Sequence, residues 1–175
     1  MDIFENDIYN IAFRFMGNHE DACDIAQEAF IRVYKSIKKF RGDSAFSTWL
    51  YRIVSNLCYD EMRRRRHPVR SLDEPIFNGN NTLYSELPDD GPSPEEHIEV
   101  VERKERIQKA ITCLANEYRM VIILKDIQEF SYEEISQILK VPIGTVKSRL
   151  SRARAQLKKI LVKSSTKMGG AVDEL

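Results

Sequence analysis

At 175 residues, 42% hydrophobic and 31% charged, the chain is too apolar for a disordered segment and long enough for one medium domain or two small ones, each with its own core. No apolar run approaches the roughly 20 residues that a bilayer span needs. The opening MDIFEND is acidic where a secretory signal is basic and then apolar, so a cytoplasmic chain with no membrane insertion of its own is expected. The formal net charge of +0 hides segregation, because no Asp or Glu lies between Glu134 and Asp173.

Apolar spacing in the first third is helical. Ile8, Ile11, Ala12 and Phe15 form one stripe, stopped by Gly17-Asn18. A second stripe, Ile25, Ala29, Val33 and Ile37, ends at Gly42. A third helix, with Ser47 as N-cap, turns Leu50, Ile53, Val54 and Leu57 inward and finishes in EMRRRRHP, where Pro68 prevents continuation. Three such helices with short connections can close a small bundle.

Residues 66–96 are rich in turn formers and carry no sustained period, which marks a linker. It is acidic: no Lys or Arg occurs from residue 71 to 102, while Asp73, Glu74, Glu86, Asp89, Asp90, Glu95, Glu96, Glu99 and Glu102 do. Beyond it, Ile107, Ala110, Ile111 and Leu114 stripe one helix and Val121, Leu124 and Ile127 the next. SYEE is a capping box, in which the Ser131 hydroxyl accepts from the Glu134 amide and the Glu134 carboxylate reaches back to the Ser131 amide. A short helix with Ile135, Ile138 and Leu139 inward, a tight KVP turn and Pro142 opening a longer helix complete a helix-turn-helix. No alternating strand pattern of useful length occurs. The expected class is all-α, two small helical domains joined by an acidic flexible linker. The boundaries fall at 1–66, 67–99 (linker), 100–163 and 164–175 (tail).

On the last helix Val146, Leu150, Ala153, Leu157 and Ile160 define the buried stripe. At 100° per residue the opposite face presents Ser148, Ser151, Arg152, Ala155 and Lys159, flanked by Lys147, Arg149, Arg154 and Lys158. Small polar residues let a helix backbone sink toward base edges while flanking cations reach phosphates, so this face suits the DNA major groove. A second basic site, Arg63 to Arg66, exceeds what the helix macrodipole favours. Cations packed this closely repel unless an anion neutralises them, which points to a nucleic-acid backbone.

Cys23, Cys58 and Cys113 are far apart, each in an apolar helical context, and read as small core residues rather than a disulfide framework or metal knuckle. His19, His67 and His97 sit in no metal or triad spacing and no glycine-rich phosphate loop occurs, so no enzyme, catalytic residue, metal or cofactor is expected.

The stretches NIAFRFMGNHEDACDIAQEAFIRVYKSIKKFRGDSAFSTWLYRIVSNLCYDEMRRRR and LANEYRMVIILKDIQEFSYEEISQILKVPIGTVKSRLSRARAQLKK together resemble the two domains of bacterial sigma factors of the extracytoplasmic function (ECF) group. The resemblance implies a cytoplasmic protein that directs core RNA polymerase to promoters, in a stress or envelope response, and performs no chemistry of its own. It implies that Asp24, Gln27, Glu28 and Arg32 contact the clamp helices of the largest polymerase subunit, with the second-largest subunit's flap as a further contact. Phe40, Ser44, Asn56, Asp60, Arg63 and Arg64 would open the minus-ten element and hold an unstacked base of single-stranded DNA, a task that needs a basic track and a pocket with amide, carboxylate and aromatic groups. Trp49, beside Leu50 and Ile53, fits a core role better than base stacking. Lys147, Ser148, Ser151 and Arg152 would read the minus-thirty-five duplex, with Arg149 and Arg154 at phosphates, and the linker would thread toward the RNA exit path. An anti-sigma protein is the expected regulatory partner. The competing reading is a stand-alone helix-turn-helix regulator that binds duplex DNA without polymerase.

Three departures from that pattern carry expectations. Only MDIFEND precedes the IYNIAFRF segment, where relatives have a further helix, and a bundle lacking that wall would leave apolar surface exposed. Lys140 stands where the turn often has glycine, at a cost of about 1 kcal/mol if its φ is positive. Ala115 stands where proline is common.

Overall fold

The structure, a computed structural model, describes residues 2–40, 42, 44–66 and 94–169. Among these residues all regular structure is helical: α1 (Asp2–Met16), α2 (His19–Ser36) followed by a 3₁₀ turn (Ile37–Lys39), and α3 (Phe46–Arg66). After the acidic stretch come α4 (Pro94–Thr112), α5 (Asn116–Ile122) running into a π-helical segment (Ile123–Ile127), α6 (Tyr132–Leu139) and α7 (Ile143–Gly169). The linker's expected path toward the RNA exit, and the chain beyond residue 169, fall outside the described residues. Helix α4 begins within the expected linker and α7 continues past the expected domain end at 163.

The apolar periods produce the helices. Gly17 takes φ +86, which ends α1, and the Asn18 side chain accepts from the Asp21 amide at 2.9 Å to start α2. Glu20 and Asp21 then favour the positive end of the α2 dipole. Ser47 does not cap α3, which begins one residue earlier at Phe46, with the Trp49 amide bonded to the Ala45 carbonyl at 3.2 Å. Ser47 is thereby inside the first turn. Ile37 lies outside the α2 stripe because the helix has tightened to 3₁₀ there; it is exposed, as is Ile107 on α4. Cys58 is buried, and burial pushes its thiol up to about 12. Cys23 and Cys113 are exposed, so two of the three cysteines are not core residues.

Each half was expected to hold its own core, but the two share one. Helices α1, α2 and α3 pack on one another, and α5 and α6 both pack on α7, yet α4 and α5 also lie on α1, and α6 lies on α3. The C-terminal end of α1 shows why. Its last carbonyls have no partner within the helix, and the second half supplies donors: Gln108 Nε2 donates to the carbonyls of Phe13 (3.3 Å) and Arg14 (3.1 Å), and Arg119 Nη1 to that of Phe15 (2.6 Å). Arg119 is only 6% exposed and lies over the Phe15 ring, 5.2 Å from its centroid. It also donates to the carbonyls of Thr112 and Leu114, tying the end of α4 to the same point. A methyl at Gly17 would sit 2.8 Å from the Thr112 methyl, so the glycine also permits this approach of the halves.

Consequently the apolar stripe of α1 is not left bare. Ile8, Ile11, Ala12 and Phe15 are fully buried, with α4 and α5 providing the wall on the second-half side. Along α3 a stripe spaced by four residues faces the second half. The Tyr51 ring meets Phe130 edge-on at 4.9 Å and the Ser55 hydroxyl lies 3.6 Å from the Met120 sulfur. Tyr59 is half-buried, feels Glu117 and Arg149, and stacks edge-on against Phe15. Burial first, then donation to Asp7, holds the Tyr51 phenol well above its ordinary value.

Candidate nucleic-acid interface

The helix-turn-helix forms as its local chemistry dictates. Ser131 and Glu134 make both arms of the capping box, at 3.1 and 2.8 Å. Helix α6 ends on Lys140 at φ 54, the left-handed region that favours glycine, and the Ser136 hydroxyl donates to the Val141 carbonyl at 2.6 Å to fix the turn. Pro142 accepts from the Val146 amide at 3.1 Å as α7 begins. Val146, Leu150 and Ala153 are buried, while Leu157 and Ile160 pack at the core margin.

The outward face of α7 carries the expected set. Lys147, Ser148, Ser151, Arg152 and Arg154 are exposed, and Arg149 is half-buried. Two of these cations are already engaged. Arg149 Nη2 lies 3.2 Å from Glu117 on α5, and Arg154 makes a two-pronged pair with Asp126 of the π segment, its Nε at 3.1 Å. That carboxylate raises the Arg154 guanidinium further above its ordinary value. Lys147 Nζ sits over the Tyr132 ring, 5.6 Å from its centroid, with Lys125 Nζ at 5.1 Å. Arg152, Lys158 and Lys159 pair with no carboxylate among the described residues. The face thus mixes arginines held in fixed directions with cations free to reach out.

At the other end, the expected strand-binding residues do not all converge. Phe40 and Ser44 line a cleft of about 330 Å³ together with Lys39, Thr48, Trp49, Arg52 and Gln137. Its aromatic wall is a cluster: the Phe40 ring centroid is 5.3 Å from that of Trp49 and 5.8 Å from that of Phe46. Trp49 both packs on the core, as expected, and lines the cleft. Lys39, Thr48 and Arg52 were missed in the sequence because they belong to no run. Only the fold brings the 3₁₀ turn against the first two turns of α3. Among the described residues neither Lys39 nor Arg52 has a carboxylate partner.

Asn56 and Asp60 stand further along α3, outside that lining. The arginines beyond them are not an unneutralised block. Arg63 pairs with Asp60 at 3.6 Å, Arg64 with Glu61 at 2.6 Å, and Arg65 with Glu61 at 3.3 Å and with Asp21 of α2. The repulsion that pointed to an external anion is offset within the chain.

On α2, Asp24, Gln27, Glu28 and Arg32 lie outward, with Arg32 Nε 2.9 Å from Glu28. The sequence reading passed over two apolar neighbours there: Tyr34, 84% exposed, and Ile31, also exposed. Tyrosine is a residue type that serves as an anchor at partner surfaces. Among the described residues there is no group of three or more potential metal ligands, and no helix long and apolar enough to cross a membrane.

Comparison with known proteins adds the following. The sigma-70 region 2 family model matches residues 2–67 and the sigma-70 region 4 model residues 104–157. The chain is 44% identical over 162 residues to the ECF RNA polymerase sigma factor SigW of Bacillus subtilis, covering 92% of this chain and 86% of that one. It is 36% identical over 163 residues to the RNA polymerase sigma-H factor of Pseudomonas aeruginosa, covering 90% and 82%. Among solved structures, the sigma factor RpoE of Bartonella quintana, in complex with the anti-sigma factor NepR, superposes with a TM-score of 0.65 at 25% identity over 98% of this chain and 94% of that one. CnrH in complex with the cytosolic domain of CnrY shares the fold, at a TM-score of 0.61 and 23% identity over 89% and 80%.

Proposed function

This chain belongs to the sigma-70 family as an ECF RNA polymerase sigma factor, and we propose that its two halves divide the work of promoter recognition. As a sigma factor it binds core RNA polymerase and promoter DNA and directs initiation. In our reading α7 lies in the major groove of the minus-thirty-five element, with Lys147, Ser148, Ser151 and Arg152 toward base edges and Arg149 and Arg154 toward phosphates. The cleft beside α3 takes an unstacked base of the displaced minus-ten strand. Phe40 and Trp49 give it stacking faces, Ser44 and Thr48 give it hydroxyls, and Lys39 and Arg52 attract the backbone. Asn56, Asp60, Arg63 and Arg64 continue that track along α3. Binding the unpaired strand more tightly than the duplex shifts the equilibrium toward the open promoter, so no covalent step is needed.

The observation that carries this division is the cleft itself: two aromatic rings and two cations that have no carboxylate partner among the described residues, at the far end of the chain from an exposed basic recognition helix. Docking on the clamp helices of the largest subunit falls to the outward face of α2, where Asp24, Gln27, Glu28 and Arg32 surround Ile31 and Tyr34; the second half meets the flap of the second-largest subunit. An anti-sigma protein is the regulatory partner in this reading, and the superposition on a sigma factor solved with its anti-sigma factor supports it.

Run-off transcription with core polymerase on fragments of the source genome tests the proposal. Discrete transcripts that require the protein are expected, and their start sites would give both elements. Sequence-specific duplex binding without any such transcripts would favour a stand-alone regulator.

A further inference from the structure

Helix α7 has no Asp or Glu along its length, so any carboxylate that holds one of its arginines must come from another element. Elsewhere the ion pairs mostly join neighbours on one helix, as in Arg32 with Glu28, Arg64 with Glu61 and Lys109 with Glu105. Asp126 is placed differently. It sits in the π-helical segment and takes both Nε and Nη2 of Arg154, 28 residues further along the chain.

The backbone around Asp126 departs twice from ordinary helix. The wide turn is made by the Gln128 amide on the Ile123 carbonyl and the Phe130 amide on the Leu124 carbonyl, both at 3.0 Å. Glu129 then takes φ 59, a left-handed conformation uncommon outside glycine. The Lys125 side chain fastens the same turn, donating to the Phe130 carbonyl at 3.0 Å while lying over the Tyr132 ring. Wide helical turns and left-handed non-glycine residues cluster at functional sites, where a side chain has to be aimed. Here the aimed side chain is Asp126, and its target is a cation on the recognition helix.

We propose that Asp126 is a positioning residue that sets the selectivity of the duplex interface, by fixing the direction in which Arg154 meets a phosphate. The inference rests on the duplex-reading assignment of α7 above. A guanidinium carries its five N–H donors in one plane. With Nε and Nη2 on Asp126 that plane is fixed, and the Nη1 group remains for a phosphate. Such a contact is made when α7 sits in one register and is lost in others. Arg152, Lys158 and Lys159, which pair with no carboxylate among the described residues, can follow phosphates on any sequence. The carboxylate also cancels one positive charge beside the duplex, which weakens attraction to DNA of every sequence. At the right site the prearranged contact offsets that loss, and at wrong sites nothing does.

Full-length protein assembled with core RNA polymerase tests this on two duplex fragments, one carrying a promoter mapped by run-off transcription and the other the same fragment with its minus-thirty-five block scrambled. The quantities read are the ratio of the two affinities and the salt dependence of each. Asp126→Asn, nearly isosteric and on an exposed residue, should lower the ratio about fivefold, toward the low end of coupling between touching residues, chiefly through tighter binding to the scrambled fragment. On that fragment the slope of log affinity against log salt should steepen by about one, as Arg154 becomes a mobile phosphate contact. In an Arg154→Ala background the same substitution should change neither quantity.

An unchanged ratio would overturn the proposal. So would weaker binding to both fragments by one factor with an unchanged slope, since the pair would then merely fasten α7 to its support, and so would an equal effect of Asp126→Asn with and without Arg154. If the natural chain made no distinction between intact and scrambled blocks, the duplex-reading assignment itself would fall, and the inference with it.

Discussion

Helix α7 presents its basic face to solvent from a support completed by its own half, with the capping box, the Lys140 turn and the stripe of Val146, Leu150 and Ala153 all local. The strand cleft is assembled differently, from the 3₁₀ turn, the start of α3 and a glutamine contributed by the other half. A surface whose support is local does not depend on the other half, whereas the lining of the cleft does. The contrast sets a basic face that one half completes by itself beside a cleft that needs both halves.

The strongest way to break this contrast is Arg119→Leu. It leaves the carbonyls of Phe15, Thr112 and Leu114 without their charged donor and should cost about 3 kcal/mol or more of stability, read as a lower urea midpoint. The same loss in an isolated second half as in the full chain would show that the arginine serves only its own half. Arg152→Ala should leave stability unchanged and reduce preference for the promoter duplex over random duplex by about 1–3 kcal/mol. A uniform loss on both duplexes would make it a phosphate contact.

Lys140→Gly relieves a left-handed φ of 54 and should stabilise the helix-turn-helix by about 1 kcal/mol without altering strand binding. The smallest effect belongs to Arg63→Ala. Its exposed pair with Asp60 contributes less than about 1 kcal/mol, so melting should barely move while the salt dependence of strand binding falls by about one phosphate contact.

Within each half, the helices were legible because burial there follows a single stripe. The helix-turn-helix was the clearest case, since capping box, turn and recognition face are all contiguous in sequence. Ser47 was misplaced because its neighbour Phe46 already joins the aromatic cluster with Phe4, Phe40 and Trp49 and draws the helix start with it. The seam between halves was not legible at all. Tyr51, Ser55 and Tyr59 look like a polar outer face, and Gln108 and Arg119 like ordinary surface residues of amphipathic helices. Their burial depends on a second layer hundreds of atoms away in the chain, which no local period encodes. Equally, the run of arginines ending α3 suggested an external anion because Glu61 and Asp21, which neutralise it, are one helical turn and one helix distant.

The pin between the halves has an asymmetry with consequences for how the sequence can drift. On one side stands a single side chain, Arg119, which only a guanidinium replaces. On the other stands the main-chain oxygen of Phe15, which any residue supplies. Substitutions on the acceptor side are therefore neutral to the bond so long as the helix ends keep their shape. Paired changes at this bond would leave no trace in an alignment of relatives, and a search for correlated positions would pass over a contact that joins the two halves.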